Sequence, residues 1–112
     1  MLCLEADLVN SAASRAYYAM FQAAQSALEA AGVTRAGQSH AGLQAVFTAE
    51  LIHRRKVYPA VFRDYLSSGL EVRQVADYGR SGVSARVAQR LVRRAGSFVS
   101  RVWEATGHGT TS

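Results

Sequence analysis

The chain has 112 residues, enough for one domain with a single core and little else. Its 49% hydrophobic content excludes a disordered chain, and its one cysteine, Cys3, excludes an internal disulfide and a cysteine-built metal site, as suits a reducing cytoplasm. A net charge of +5 suits an acidic partner such as nucleic acid or nucleotide, although the same excess also keeps a small protein dissolved.

The first ten residues carry Glu5 and Asp7 and no basic residue, unlike a secretory signal. No stretch approaches the ~20 apolar residues that a membrane span needs, so no membrane is expected as a partner. The first strong helix is predicted over about residues 10–31, capped by Asn10 or Ser11. Ala13, Tyr17, Met20, Ala24, Ala27 and Ala31 recur at spacings of three and four, and Tyr18, Phe21 and Leu28 widen that face. Gly32 ends it. After a loop over 32–38, Ser39 caps a second helix over about 40–54, with Leu43, Val46, Phe47 and Leu51 apolar. Arg54, Arg55 and Lys56 stand at its end, where cations suit the helix dipole.

Pro59 opens a third segment carrying Val61, Phe62, Tyr65, Leu66 and Leu70, with a break expected near Ser67–Gly69 and a stop at Gly79. A last helix is predicted over about 83–104, with Val83, Val87, Leu91, Val92, Phe98, Val102 and Trp103 apolar. Its other face carries Arg86, Arg90, Arg93, Arg94 and Arg101, either an RNA or acidic-partner surface or an ordinary solvated face. No segment alternates with period two. The expectation is therefore an all-α antiparallel bundle of four to five helices, one domain over 1–106 with a flexible tail over 107–112.

The most distinctive stretch is Ser14-Arg15-Ala16-Tyr17-Tyr18-Ala19-Met20-Phe21. Adjacent tyrosines in an apolar helix usually pack in a core or interface, and a buried hydroxyl needs a partner. Arg15 can supply one, or bind phosphate. Together with Ser39-His40-Ala41-Gly42-Leu43 and Arg73-Gln74-Val75-Ala76-Asp77-Tyr78-Gly79, the run resembles the HEPN domain family, in the branch marked by Arg-Ala-Tyr-Tyr-Ala-Met-Phe. The three elements occur in the family's order and span most of residues 12–104.

That resemblance implies a helical bundle that forms a two-fold homodimer with a cleft across its axis. It further implies a ribonuclease acting through Arg-x4-6-His, or an RNA- or nucleotide-binding module. The implied partner is a minimal nucleotidyltransferase, in a toxin–antitoxin or defence system. Neither cofactor nor metal is called for. In this chain Arg73 matches the family's arginine, but five residues on stands Tyr78, a poor general base at neutral pH. Catalysis is accordingly expected to be weak or absent. The alternative is a metal-independent RNA endonuclease using Arg73 with Tyr78 or His40. Arg15, Tyr17, Tyr18, Arg73 and Asp77 are the candidate nucleotide- or RNA-binding residues. Arg73 and Asp77, four apart, read equally as a plain ion pair. Arg101 and His108 also fit the spacing, but His108 follows Gly107 in the expected tail. His40 reads either as a cleft residue or as a locally bonded helix-start histidine, and His53, beside Arg54 and Arg55, as a surface residue.

Overall fold

A computed structural model describes residues 2–33, 39–78 and 83–106, with side chains from residue 8 onward except those of 77 and 78. Within it the chain forms helix α1 (Leu2–Ala30), α2 (His40–Phe47), a π-helical continuation (Thr48–Arg54), α3 (Val61–Tyr78) and α4 (Ala85–Ala105). There is no strand among the described residues. The expected tail over 107–112 lies outside them.

The spacing of apolar residues decides how these helices meet. On α1, Ala13, Tyr17, Met20, Ala24, Ala27 and Leu28 are buried, so the three-and-four pattern becomes the face on which α3 and α4 pack. The alanines let backbones approach closely, and α1 makes its most extensive contacts with α4. Leu43 and Phe47 of α2, Phe62 and Leu66 of α3, and Leu91, Phe98 and Val102 of α4 complete the core. Full burial of each such large side chain contributes roughly 1.5–3 kcal/mol. At one end of the core, Phe62 stacks on Phe98 at 4.6 Å between ring centroids and Phe47 on Tyr58 at 5.4 Å.

Gly32 closes α1 as expected. Its φ of 80° is left-handed, and the Val33 N–H reaches back to the Leu28 carbonyl at 2.9 Å. Ser39 caps α2, its hydroxyl accepting from the Gly42 N–H at 2.9 Å. Ser84 caps α4 in the same way through Val87.

Four features differ from the sequence expectation. Helix α1 starts at Leu2, not near residue 10, and Asn10 is no cap. Its Oδ1 accepts instead from the Val83 N–H at 3.0 Å, pinning the start of α4 to α1. The segment over 40–54 is not α-helical throughout, because its second half widens into a π-helix that ends where Lys56 takes a φ of 55°. Arg54 pairs there with Glu50 at 2.9 Å, while Arg55 donates to the Ala31 carbonyl at the end of α1. Helix α3 is unbroken through Ser67–Gly69. A glycine stands inside it because α1 and α4 come too close for a side chain. A Cβ on Gly69 would lie 2.8 Å from Met20 Cε and 3.1 Å from Tyr17 Cδ1. Some expected apolar residues, finally, are not buried: Tyr18 does not widen the buried face of α1 but stands 44% exposed, and Val92 and Trp103 of α4 are likewise exposed, at the margins of its buried stripe.

Candidate functional site

Three helices bring polar side chains together at one place on the surface. Tyr17 comes from the middle of α1, His40 is the first residue of α2, and Arg73 lies in the second half of α3. The Ser39 cap fixes where α2 begins and hence where the imidazole projects. The Tyr17 hydroxyl lies 2.9 Å from His40 Nδ1, and Arg73 Nη1 lies 3.3 Å from His40 Nε2.

The donors settle the proton arrangement. A guanidinium only donates, so Nε2 accepts and carries no proton. The ring is then neutral with its proton on Nδ1, which donates to the Tyr17 oxygen. Burial, and secondarily the Arg73 charge, holds the His40 pKa below its usual value, consistent with this neutral form. Tyr17 is fully buried, and that burial raises its pKa. A hydrogen bond with Gln44 and the Arg73 charge act more weakly in the other direction, so its hydroxyl stays protonated.

Aromatic rings frame the group. The Phe21 ring lies 4.5 Å from the imidazole between centroids, and Tyr18 meets Phe21 edge-on at 6.3 Å. The guanidinium carbon of Arg73 sits 5.0 Å over the Tyr18 ring. The guanidinium is thus held between an exposed aromatic face and a neutral imidazole. That is an arrangement in which a phosphate can be recognised by a fixed cation and a base stacked on an aromatic ring.

Of the sequence candidates, Tyr17, Tyr18, His40 and Arg73 meet here. Arg15 does not join them by hydrogen bonds. It is exposed, about 160° around α1 from Tyr17. Asp77 and Tyr78 lie in the last turn of α3, and their side chains are outside the described residues, as are all atoms of His108. His53 is exposed on the π-helical turn. Two members of the site were missed in the sequence, Phe21 and Gln44. Each stands four residues after a candidate, Tyr17 and His40 respectively, and so shares its helix side, which was the available signal. Among the described residues no three His, Cys, Asp or Glu side chains gather as a metal site, and no helix is long and apolar enough to cross a membrane.

The sequence profile described as HEPN domain matches residues 1–105 of the chain. No curated protein matches it, and no solved structure does.

Proposed function

The chain belongs to the HEPN domain family, and from that premise we propose that it is an RNA- or nucleotide-binding module whose phosphate-holding cation is Arg73. The observation that carries this reading is the placement of the Arg73 guanidinium, 3.3 Å from a neutral His40 and 5.0 Å over the exposed Tyr18 ring. The imidazole orients the cation without neutralising it, and Tyr18 offers a stacking face beside it. Both ring nitrogens of His40 are engaged within the protein, so among the described residues no free proton acceptor adjoins Arg73. Catalysis is accordingly weak or absent. The module works as a homodimer, and the exposed Leu8 and Val92 along the α1–α4 seam supply apolar surface for a second copy. Its protein partner is a minimal nucleotidyltransferase in a toxin–antitoxin-like or defence setting.

Fluorescence anisotropy with labelled RNA tests the reading. Arg73→Ala is expected to weaken binding at least tenfold, while thermal stability changes little. Unchanged affinity removes Arg73 from the site.

One observation favours a second reading, a metal-independent RNA endonuclease. His40 Nε2 is unprotonated and adjoins the cation that would hold the scissile phosphate. If Arg73 turns to the phosphate, Nε2 is released to take the proton of the 2′-hydroxyl. Of the two partners the sequence offered for Arg73, His40 is the one this contact supports. Cleavage of a mixed RNA pool in EDTA that is lost in both His40→Ala and Arg73→Ala supports the nuclease. Absence of cleavage by the wild-type protein leaves the binding module.

A further inference from the structure

The outer face of α4 is organised separately from the Arg73 site. At 100° per residue, Arg86, Arg90, Arg93, Ser97 and Arg101 fall within an arc of about 80°. All five are exposed. The buried stripe of Leu91, Ala95, Phe98 and Val102 lies well away from that arc. Arg94 stands at the edge of the arc and is anchored, its Nη1 donating to Ser68 Oγ at 3.4 Å and its guanidinium lying 5.2 Å over the Tyr65 ring.

Charge on this face is not balanced as a merely solvated face usually is. Over the first half of the face the partners at i+3 and i+4 are like charges, Arg86 with Arg90 and Arg90 with Arg93 and Arg94, and Arg101 alone has an acid at this spacing, Glu104. Among the described residues none of Arg86, Arg90, Arg93 and Arg101 forms an ion pair. Glu104 is the single acid on the helix and lies on this same face, three residues after Arg101, and Glu71 of α3 borders the first turn of α4 on the Arg94 side. Arg86, Arg90 and Arg93 therefore repel one another along about 10 Å of rigid helix, while Arg101 has Glu104 three residues on. A polyanion with regularly spaced charges relieves that repulsion, and arginine forks match phosphate oxygens. Ser97 adds a hydroxyl donor of the kind that contacts backbone phosphate.

We propose that this face of α4 is a second, sequence-independent contact surface for the phosphate backbone of RNA. It is distinct from the Arg73 site, because Ser68, which Arg94 meets, and Arg73 point about 140° apart around α3. The α4 face supplies charge along a strand, while the Arg73 site takes one phosphate and its base.

The test is anisotropy of a labelled 20-nucleotide oligouridine across a salt series, with wild type, Arg73→Ala, and a triple variant carrying Arg86→Gln, Arg90→Gln and Arg93→Gln. Glutamine keeps helix propensity and the three positions are exposed, so the fold is retained. Each single-strand phosphate contact contributes about 0.7 to the salt slope, so the triple variant is expected to lower the slope by about 2. The corresponding triple lysine variant, which keeps the charge, is expected to retain it. An unchanged slope in the glutamine variant overturns the inference. So does poly-glutamate that competes as well as RNA of equal charge, which points to an acidic protein instead. Loss of binding in Arg73→Ala with a normal triple variant sinks this inference and leaves the Arg73 reading standing. The reverse pattern does the opposite.

Discussion

Gly69→Ala is the substitution in which packing and site geometry are most tightly linked. The added methyl would lie 2.8 Å from Met20 Cε, 3.1 Å from Tyr17 Cδ1 and 3.4 Å from Leu91 Cδ1. Met20 Cε is the end of a flexible chain and gives way easily. The Tyr17 ring does not, because it is wholly buried between α3 and the imidazole that its hydroxyl meets at 2.9 Å. Overpacking of this kind costs about 1–3 kcal/mol. Alanine in place of glycine returns about 1 kcal/mol of helix propensity. The net loss is therefore about 1 kcal/mol, and 2 kcal/mol is roughly its ceiling, which corresponds to a fall in Tm of about 4–8 °C per kcal/mol for a chain this small. The ring is tied through its hydroxyl to His40, so displacing it is expected to loosen the Tyr17–His40 hydrogen bond. Thermal denaturation, with the imidazole nitrogen shifts followed by NMR, reads both effects. A rise in Tm with unchanged His40 shifts would refute the close-approach argument. Gly96→Ala is the matched control, since nothing lies within 4 Å of its added methyl. It is expected to stabilise by about 0.5–1 kcal/mol.

Tyr17→Phe removes the acceptor of the His40 Nδ1 proton and is expected to cost about 0.5–1.5 kcal/mol in urea denaturation, with a changed tautomer signature in the imidazole spectrum. His40 is expected to titrate below 6.5, because burial and Arg73 both disfavour its charged form. The unfolded chain then binds the proton more readily. The stability that His40 supports is complete above about pH 6.5 and is lost as pH falls from there through the lower folded value, and His40→Gln should flatten that part of the pH profile. Asn10→Ala leaves the Val83 N–H without its acceptor and is expected to cost about 1–3 kcal/mol, seen as a lower urea midpoint. Failure of any of these would count against the hydrogen bond named in it.

What was legible in the sequence follows the local periodicities. The apolar spacing of α1, the Ser39 cap and the Gly32 stop are each written within one or two turns and stand where they were expected, while on α4 Leu91, Phe98 and Val102 are buried but Val92 and Trp103 are exposed. The family could be read from three short runs because they lie along the chain. Tertiary effects were not legible in this way. Ser67 to Gly69 looks like a break by propensity, yet the close approach of Met20 and Tyr17 makes Gly69 a packing requirement inside a continuous helix. Asn10 looks like a cap but serves a backbone group 73 residues away. The π-helical turn over Thr48–Arg54 left no mark, because its apolar spacing also fits an α-helix.

The candidate site was half legible for the same reason. Tyr17, Tyr18, His40 and Arg73 stood out as residues, but their meeting joins positions 23 and 33 apart in the chain, which periodicity does not encode. The sequence held Tyr78 and His40 open as partners of Arg73. The 3.3 Å contact to Nε2 supports His40, since spacing along one helix said nothing about a residue arriving from another.

The most direct test of the Arg73 site is an NMR titration of the protein with a five-nucleotide RNA, followed at the ring nitrogens of His40 and the ring protons of Tyr18. If Arg73 holds the phosphate, its hydrogen bond to Nε2 is exchanged for the ligand, and the Nε2 shift moves in saturable fashion together with Tyr18. If RNA binds while both residues keep their shifts, the phosphate is held elsewhere and the account of this site is wrong.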